Sequence, residues 1–159
     1  MSSTDVSTAG SIETAEVSKI DMGLEVVTVP VSDVDRAKRF YLSLGWRMDI
    51  DLEVSEDFRQ VQMTPPHSGC SIHFGKGITT MEPGCLEKLY LAVEDIEAAR
   101  QDLLGRGIEV SEVEERPKPP GLDVPGRSYF AYASFSDPDG NSWLLQEVTT
   151  RFPGRVWED

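Results

Sequence analysis

The chain has 159 residues, of which 39% are hydrophobic, and a formal net charge of −13 at neutral pH. This length suits one domain or two small fused units, with enough apolar side chains for a core. The negative charge argues against nucleic-acid and anionic-membrane partners, because both would repel such a surface.

The first segment, residues 1–21, is rich in Ser, Thr, Ala and acidic residues, which predicts a disordered N-terminal tail. It lacks the basic start and apolar run of a secretory signal. The chain contains no stretch of about 18 apolar residues, so we expect no membrane span. Cys70 and Cys85 form no CxxC pair. They predict reduced thiols in a cytoplasmic protein.

An internal repeat organises the rest of the chain. Residues 31–45 align without a gap on residues 93–107. The positions of the first copy that meet identical residues in the second are Val31, Asp33, Ala37, Leu42 and Gly45. Two unrelated amphipathic helices would not also share the preceding strand and the following glycine. The pattern therefore predicts a duplicated unit.

Each copy predicts a strand, a helix and three further strands. Strands are expected at about 24–31, 46–53, 58–64 and 70–75 in the first copy, and at about 86–93, 108–113, 128–136 and 141–148 in the second. The first helix is expected to start at Ser32, with Asp35 as the capping-box acid. Gly45 and Gly107 are expected to end the two helices, and residues 137–140 to form a tight turn.

The predicted fold class is α+β, with two tandem βαβββ modules. Module one covers residues 22–77 and module two covers residues 85–149, together forming one domain at 22–149. Residues 150–159 are predicted to be a C-terminal tail. The Pro-rich stretch at about 114–127 is either a functional lid or a mobile surface loop.

Three motifs carry a family resemblance: Val31–Val34 at the start of the first helix, Phe40–Gly45 at its end, and Asp137–Asn141 before the last strand. With the repeat, they resemble the glyoxalase, bleomycin-resistance and extradiol-dioxygenase (vicinal oxygen chelate) superfamily over about residues 22–149. The resemblance implies that each module curls into a half-barrel whose concave face lines a cavity. Because many members are dimers with shared cavities, we expect a homodimer.

The resemblance also provides a test for a metal site. Metal-dependent members place His, Gln or Glu at four positions, which in this chain are Val26, His73, Lys88 and Leu144. Only His73 keeps a competent ligand, and a lysine would present a cation to a cation. We therefore predict no metal and no other cofactor.

Strand parity selects the candidate site residues. The concave faces are expected to carry Val26, Thr28, Ser71, His73, Lys88, Tyr90, Ser142, Leu144 and Gln146. Trp143 has the opposite parity and is expected in the core or an interface. The predicted ligand-binding residues are Thr28, His73, Lys88, Tyr90 and Gln146. His73 and Lys88 are the catalytic candidates, although a purely structural role for His73 stays open.

The leading hypothesis is a metal-independent protein that binds a small organic molecule in a cleft between the modules. The alternative is a lyase, isomerase or dioxygenase-type enzyme of the same superfamily, using His73 and Lys88 or an atypical metal site. A third interpretation is an interaction module whose cavity has filled with side chains.

Overall fold

The computed structural model describes residues 16–155, and within them the chain forms the same βαβββ unit twice. The first unit contains β1 (Val26–Thr28), α1 (Val34–Ser43), β2 (Arg47–Ser55), β3 (Phe58–Thr64) and β4 (Ser71–Lys76). The second contains β5 (Leu89–Val93), α2 (Ile96–Gly105), β6 (Glu114–Glu115), β7 (Ala131–Ser136) and β8 (Ser142–Glu147). The predicted α+β fold with two tandem modules is confirmed.

Each module has its own four-stranded sheet, and the two sheets have equivalent strand orders, β1-β4-β3-β2 and β5-β8-β7-β6. In both modules the first strand pairs in parallel with the last one, and the remaining pairs are antiparallel. A parallel pair requires a crossover connection, which α1 and α2 provide at the start of each module.

The helices begin and end in the same way in both modules. The N-cap residues are Asp33 and Asp95, whose carboxylates accept hydrogen bonds from the backbone N–H groups of Arg36 and Ala98. The prediction of Ser32 as the first cap was wrong, because the Ser32 hydroxyl instead donates to Asp139. An aspartate satisfies the free N–H of the first turn and also favours the positive end of the helix dipole.

One predicted strand is absent from the described residues. Residues 108–113 form no strand, and the equivalent strand β6 contains only Glu114–Glu115. Ser111 donates its N–H to the carbonyl of Ser134, but its hydroxyl accepts the N–H of Ser134 in place of a backbone carbonyl. This side-chain hydrogen bond interrupts a regular ladder. The prolines that begin at Pro117 then prevent further extension, because proline has no N–H to donate.

The main core lies between the modules and is built from the helix-facing sides of both sheets. Tyr41 of α1 packs against Phe74 of β4 at 5.5 Å and against Trp143 of β8 at 6.0 Å between ring centroids. Trp46 meets Trp143 edge to face at 5.1 Å. Trp143, which was expected in the core or an interface, is 4% exposed and lies in the core.

A buried polar cluster joins the turn at 137–140 to this core. The Tyr41 hydroxyl donates to the carboxylate of Asp137 at 2.8 Å and accepts from the Trp143 indole N–H at 3.0 Å. The Asn141 amide donates to Asp137 and to the carbonyl of Pro30 in module one. Burial raises the pKa of Tyr41 well above its usual range, so the phenol stays protonated and keeps donating.

The described residues include only part of each predicted tail. Most of the predicted tail at 1–21 lies outside the described residues, and residues 16–21 contain neither helix nor strand. In the predicted C-terminal tail, Phe152 stacks on Tyr129 with ring centroids 3.9 Å apart. No helix in the described part of the chain is both long and apolar enough to cross a membrane.

Candidate functional site

The sheet faces opposite the core carry the residues that the sequence predicts for the site. In module one, β1 and β4 pair Thr28 with His73. In module two, β5 and β8 pair Tyr90 with Leu144. Because neighbouring residues of a strand point to opposite faces, these side chains face away from Phe74 and Trp143. We call the two surfaces the outer faces of module one and module two.

The outer face of module one holds a short chain of polar side chains centred on His73. The Gln60 amide nitrogen donates to His73 Nδ1 at 3.0 Å. The ring proton therefore sits on Nε2, which donates to Thr28 Oγ1 at 2.7 Å. Both ring nitrogens are occupied, so the imidazole is held in one orientation and one tautomer.

Burial favours the neutral form of this histidine. Desolvation lowers the pKa of His73 below its usual value, because the half-buried site disfavours the imidazolium. A ligand can hydrogen-bond to this neutral, oriented imidazole, or give it a proton, when it displaces Gln60 or Thr28 from the ring nitrogens. The structure thus brings Thr28 and His73 together, and the catalytic role of His73 stays a prediction.

Exposed apolar side chains border this polar centre on the edge strand β2. Ile50 and Leu52 pair with Gln62 and Gln60, which places them on the same outer face. They are 41% and 50% exposed, respectively. Every residue of β2 is exposed. A sheet edge that combines unpaired backbone groups with apolar side chains is normally covered by another element or chain.

The outer face of module two holds Lys88, Tyr90 and Gln146. Tyr90 is 54% exposed, whereas the Gln146 amide donates to the carbonyl of Tyr129 at 3.1 Å. Lys88 lies just before β5 in a left-handed conformation with φ of 57°. Its backbone N–H donates to the Ser142 hydroxyl at 2.8 Å, which anchors it beside the last strand.

A pocket of about 290 Å³ opens on this second outer face. Its polar and aromatic lining includes Lys88, Glu114, Arg116, Tyr132, Ser134 and Ser142. The Arg116 guanidinium lies 4.5 Å from the centroid of the Tyr132 ring. All of its lining residues belong to module two, and the space between the modules of one chain is filled by core. The predicted cleft between modules is therefore not formed by facing surfaces within a single chain.

The residues at the family metal positions do not suit a metal ion. Val26 and Leu144 offer no donor atom, Lys88 offers a cation, and both nitrogens of His73 already have hydrogen-bond partners. Among residues 16–155, no group of three or more His, Cys, Asp or Glu side chains converges as a metal site would require. We assign no metal-dependent chemistry to these positions.

Sequence reasoning missed two residues of the site, Gln60 and Arg116. Gln60 shares strand parity with Gln62, but only the register of β3 against β4 shows that it reaches His73. Arg116 lies in the Pro-rich stretch, where no periodicity predicts a direction. Tyr132 lies on the outer face of module two and pairs with Gln146.

Comparisons with solved structures agree with this architecture. At 30% identity, the chain matches TnmS3, an antibiotic binding protein from Streptomyces sp. CB03234, with a TM-score of 0.63 over 83% of this chain and 99% of that one. A glyoxalase/bleomycin resistance protein from the same organism matches at 30% identity with a TM-score of 0.61, over 79% of this chain and 100% of that one. A Sphaerobacter thermophilus member of the superfamily matches at 26% identity with a TM-score of 0.62, over 80% of this chain and 98% of that one.

A comparison with curated proteins found no match. The family model described as Glyoxalase/Bleomycin resistance protein/Dioxygenase superfamily matches residues 23–145, which include both modules. This match agrees with the repeated βαβββ unit and with the motifs at 31–45 and 137–141. The chain therefore belongs to the glyoxalase/bleomycin resistance protein/dioxygenase superfamily.

Proposed function

We propose that this protein binds a small organic molecule without the family metal, between the outer face of module one and the outer face of module two. The observation that carries the proposal is the composition of these faces. Each combines exposed apolar or aromatic side chains with a few oriented hydrogen-bonding groups, as ligand sites generally do. The similarity to TnmS3, an antibiotic binding protein, supports the same function.

We further propose that the complete site forms in a homodimer, with module one of one protomer facing module two of its partner. In a single chain the two outer faces lie on either side of a shared core. The pocket of module two, at about 290 Å³, lies just below the range of about 300–1,000 Å³ usual for drug-sized ligands. A second face packed against this pocket would enlarge it into that range. The exposed Ile50, Leu52 and Tyr90 would be covered by such pairing.

A thermal-shift screen against aromatic natural products and drug-like compounds tests ligand binding. A specific ligand raises the melting temperature, because it binds the native state and not the unfolded chain. His73→Ala and Tyr90→Ala should each reduce the shift at a fixed ligand concentration. Ser68→Ala, in an exposed turn away from both outer faces, is the matched control and should leave it unchanged. A shift that neither site variant reduces would contradict the proposed site.

Proton-transfer catalysis is the second candidate, and the neutral state of His73 favours it. Burial lowers the pKa of His73 and so favours the unprotonated imidazole that a general base needs, and its Nδ1 would accept a proton from a substrate that displaces Gln60. In the proposed dimer the partner subunit's Lys88 can approach the same ligand. Mass spectrometry of a bound compound before and after incubation tests this candidate. Conversion by the native chain that His73→Ala abolishes while ligand binding persists would favour an enzyme over a binding protein.

A further inference from the structure

We infer that the ligand of this protein is an organic anion with a planar aromatic body, held on the outer face of module two by Lys88 and Arg116. This inference rests on the proposed function and deepens it, because it specifies the charge and shape of the molecule. The inferred negative charge of the ligand does not follow from the overall negative charge of the protein, which would favour cationic ligands.

The first support is an excess of positive charge in the pocket of module two. Lys88 and Arg116 both line it, and Glu114 is the one carboxylate in its lining. Elsewhere in residues 16–155, Arg36, Lys38, Arg47, Arg59, Arg106 and Arg127 pair with carboxylates within 4 Å, whereas other cations such as Arg39 and Lys76 form no ion pair. What distinguishes Lys88 and Arg116 is that they line the same pocket. Within that same part of the chain, Lys88 and Arg116 form no ion pair. In a protein of net charge −13, two cations left without carboxylate partners in one pocket indicate an anionic ligand.

The second support is the backbone conformation that presents Lys88. A lysine at φ of 57° occupies the left-handed region, which is unfavourable for a residue with a Cβ atom. The hydrogen bond from its N–H to Ser142 holds this conformation. Strained residues that persist in a fold concentrate at binding sites. Here the strained residue is also one of the two cations that line the pocket.

The third support is the aromatic surface that the outer face of module two presents. The Arg116 guanidinium stacks on the Tyr132 ring at 4.5 Å, and Tyr90 is 54% exposed on the same sheet face. Guanidinium groups and tyrosine rings both stack on aromatic molecules. A planar ring can therefore lie along this surface while its acidic group reaches Lys88 or Arg116.

The polar side chains at the centre of the outer face of module one offer no unpaired carboxylate that could take the place of an anionic ligand. Gln60, Gln62 and Thr28 are neutral, and Asp49 already pairs with Arg47 and accepts from Thr64. In the assembled site, module one therefore supplies hydrogen bonds and apolar surface. Because Asp49 is already paired, an anionic ligand would supply the negative charge opposite Lys88 and Arg116.

Three probes with the same ring system test the inference: 2-naphthoate, 2-naphthamide and 2-naphthylmethylammonium. They carry negative, zero and positive charge, and their binding to the full chain can be compared by calorimetry at low and high salt. We expect 2-naphthoate to bind about tenfold more tightly than the amide, since hydrogen bonds to a charged group are stronger than those between neutral groups. The ammonium should bind most weakly, and added salt should reduce the preference for the anion.

Variants assign the preference to the two cations. Lys88→Gln and Arg116→Gln should each bring the affinity for 2-naphthoate close to that for 2-naphthamide. Arg39→Gln, which removes an exposed cation on α1 away from both outer faces, is the charge-matched control and should leave the preference intact.

The outcomes separate this inference from the proposed function. Equal binding of the three probes, or tightest binding of the ammonium, would contradict the anionic ligand and leave ligand binding standing. A preference for 2-naphthoate that survives in both pocket variants would contradict the assigned residues. If none of the probes binds while the thermal-shift screen yields neutral or cationic ligands, the inference fails alone. If the screen also yields no ligand, both fail.

Discussion

Module one and module two share their framework and differ in the surfaces that they leave exposed. Both begin with a strand that pairs in parallel with the last strand, and both cap the helix with an aspartate. Both end the helix region at a glycine with φ of 84°, Gly45 and Gly107. Their outer faces are different: one is neutral and centred on His73, and the other carries Lys88 and Arg116.

The second strand of each module shows the largest structural difference. Strand β2 has nine residues, all of them exposed, whereas β6 has two. After β6 the chain continues as a Pro-rich segment without strand pairing, and Arg116 at the start of this segment lines the pocket. The duplication has thus retained the contacts that fold each module, while the outer faces have diverged in charge and shape. This contrast suggests two complementary halves of one site.

The turn before the last strand should show the strongest asymmetry between the modules. Asp137 accepts hydrogen bonds from the Tyr41 hydroxyl, the Asn141 amide and two backbone N–H groups. Asp137→Ala should lower the free energy of unfolding by about 4 kcal/mol, because several buried donors lose their acceptor. Ser68→Ala, in the equivalent turn of module one, should cost less than about 1 kcal/mol. Urea unfolding measures both, and equal losses would contradict the asymmetry.

An arginine in each module joins the helix to the sheet, and the next prediction compares the two. Arg59 pairs with Asp35 on α1 and Asp51 on β2. Arg127 pairs with Glu97 on α2, Glu115 on β6 and the buried Glu147 on β8.

Arg127→Met should destabilise the protein more than Arg59→Met. It leaves the Glu147 carboxylate, whose side chain is 8% exposed, without its cation, and should cost about 3 kcal/mol. The carboxylates of Asp35 and Asp51 are 65% and 21% exposed, so Arg59→Met should cost about 1 kcal/mol. Denaturant unfolding of the two variants gives the comparison. A larger loss for Arg59→Met would show that exposure does not control these costs.

The two helix-ending glycines test how closely the framework is repeated. An alanine at φ of 84° is strained, so Gly45→Ala and Gly107→Ala should each cost about 1–2 kcal/mol. Around Gly107 no atom lies within 4 Å of an added Cβ, whereas at Gly45 the flexible end of Arg106 lies at 3.0 Å. We therefore expect similar melting-temperature losses, slightly larger for Gly45→Ala. A loss in only one variant would indicate that the two helix ends are not equivalent.

The smallest predicted effect is a dependence of stability on pH in module one. Hydrogen bonds from Arg59 and Lys38 hold the pKa of Asp51 well below its usual value. A carboxylate with a lowered folded pKa stabilises the fold above its unfolded pKa, and this contribution is lost as pH falls through the folded value. The native chain should therefore lose stability below about pH 4.

Asp51→Asn should flatten that dependence by less than about 1 kcal/mol, because the pair is partly exposed. Urea unfolding at pH 7 and pH 3 measures the difference, with Asp21→Asn as a control outside both modules. An unchanged pH dependence in Asp51→Asn would mean that this pair does not contribute.

The sequence predicts the framework well because local chemistry determines it. The terminal glycines and strand parity follow from local spacing, whereas the predicted cap at Ser32 was wrong and the caps at Asp33 and Asp95 were not predicted. The assembled site was harder to predict. Gln60 reaches His73 only through strand register, and the conformation of Lys88 depends on Ser142, 54 positions away in the chain. Long-range pairing of this kind leaves no periodic signal in a single sequence.

Subunit complementation tests the central claim, that module one of one chain and module two of its partner form the ligand site, most directly. A variant impaired on one outer face, His73→Ala, is combined with a variant impaired on the other, Tyr90→Ala, and differently tagged heterodimers are purified. In the proposed arrangement one of the two sites receives both native faces, so about half of the native ligand stoichiometry should return. If each site belongs to a single chain, every site keeps one impaired face, and heterodimers that bind no better than either parent would contradict the account.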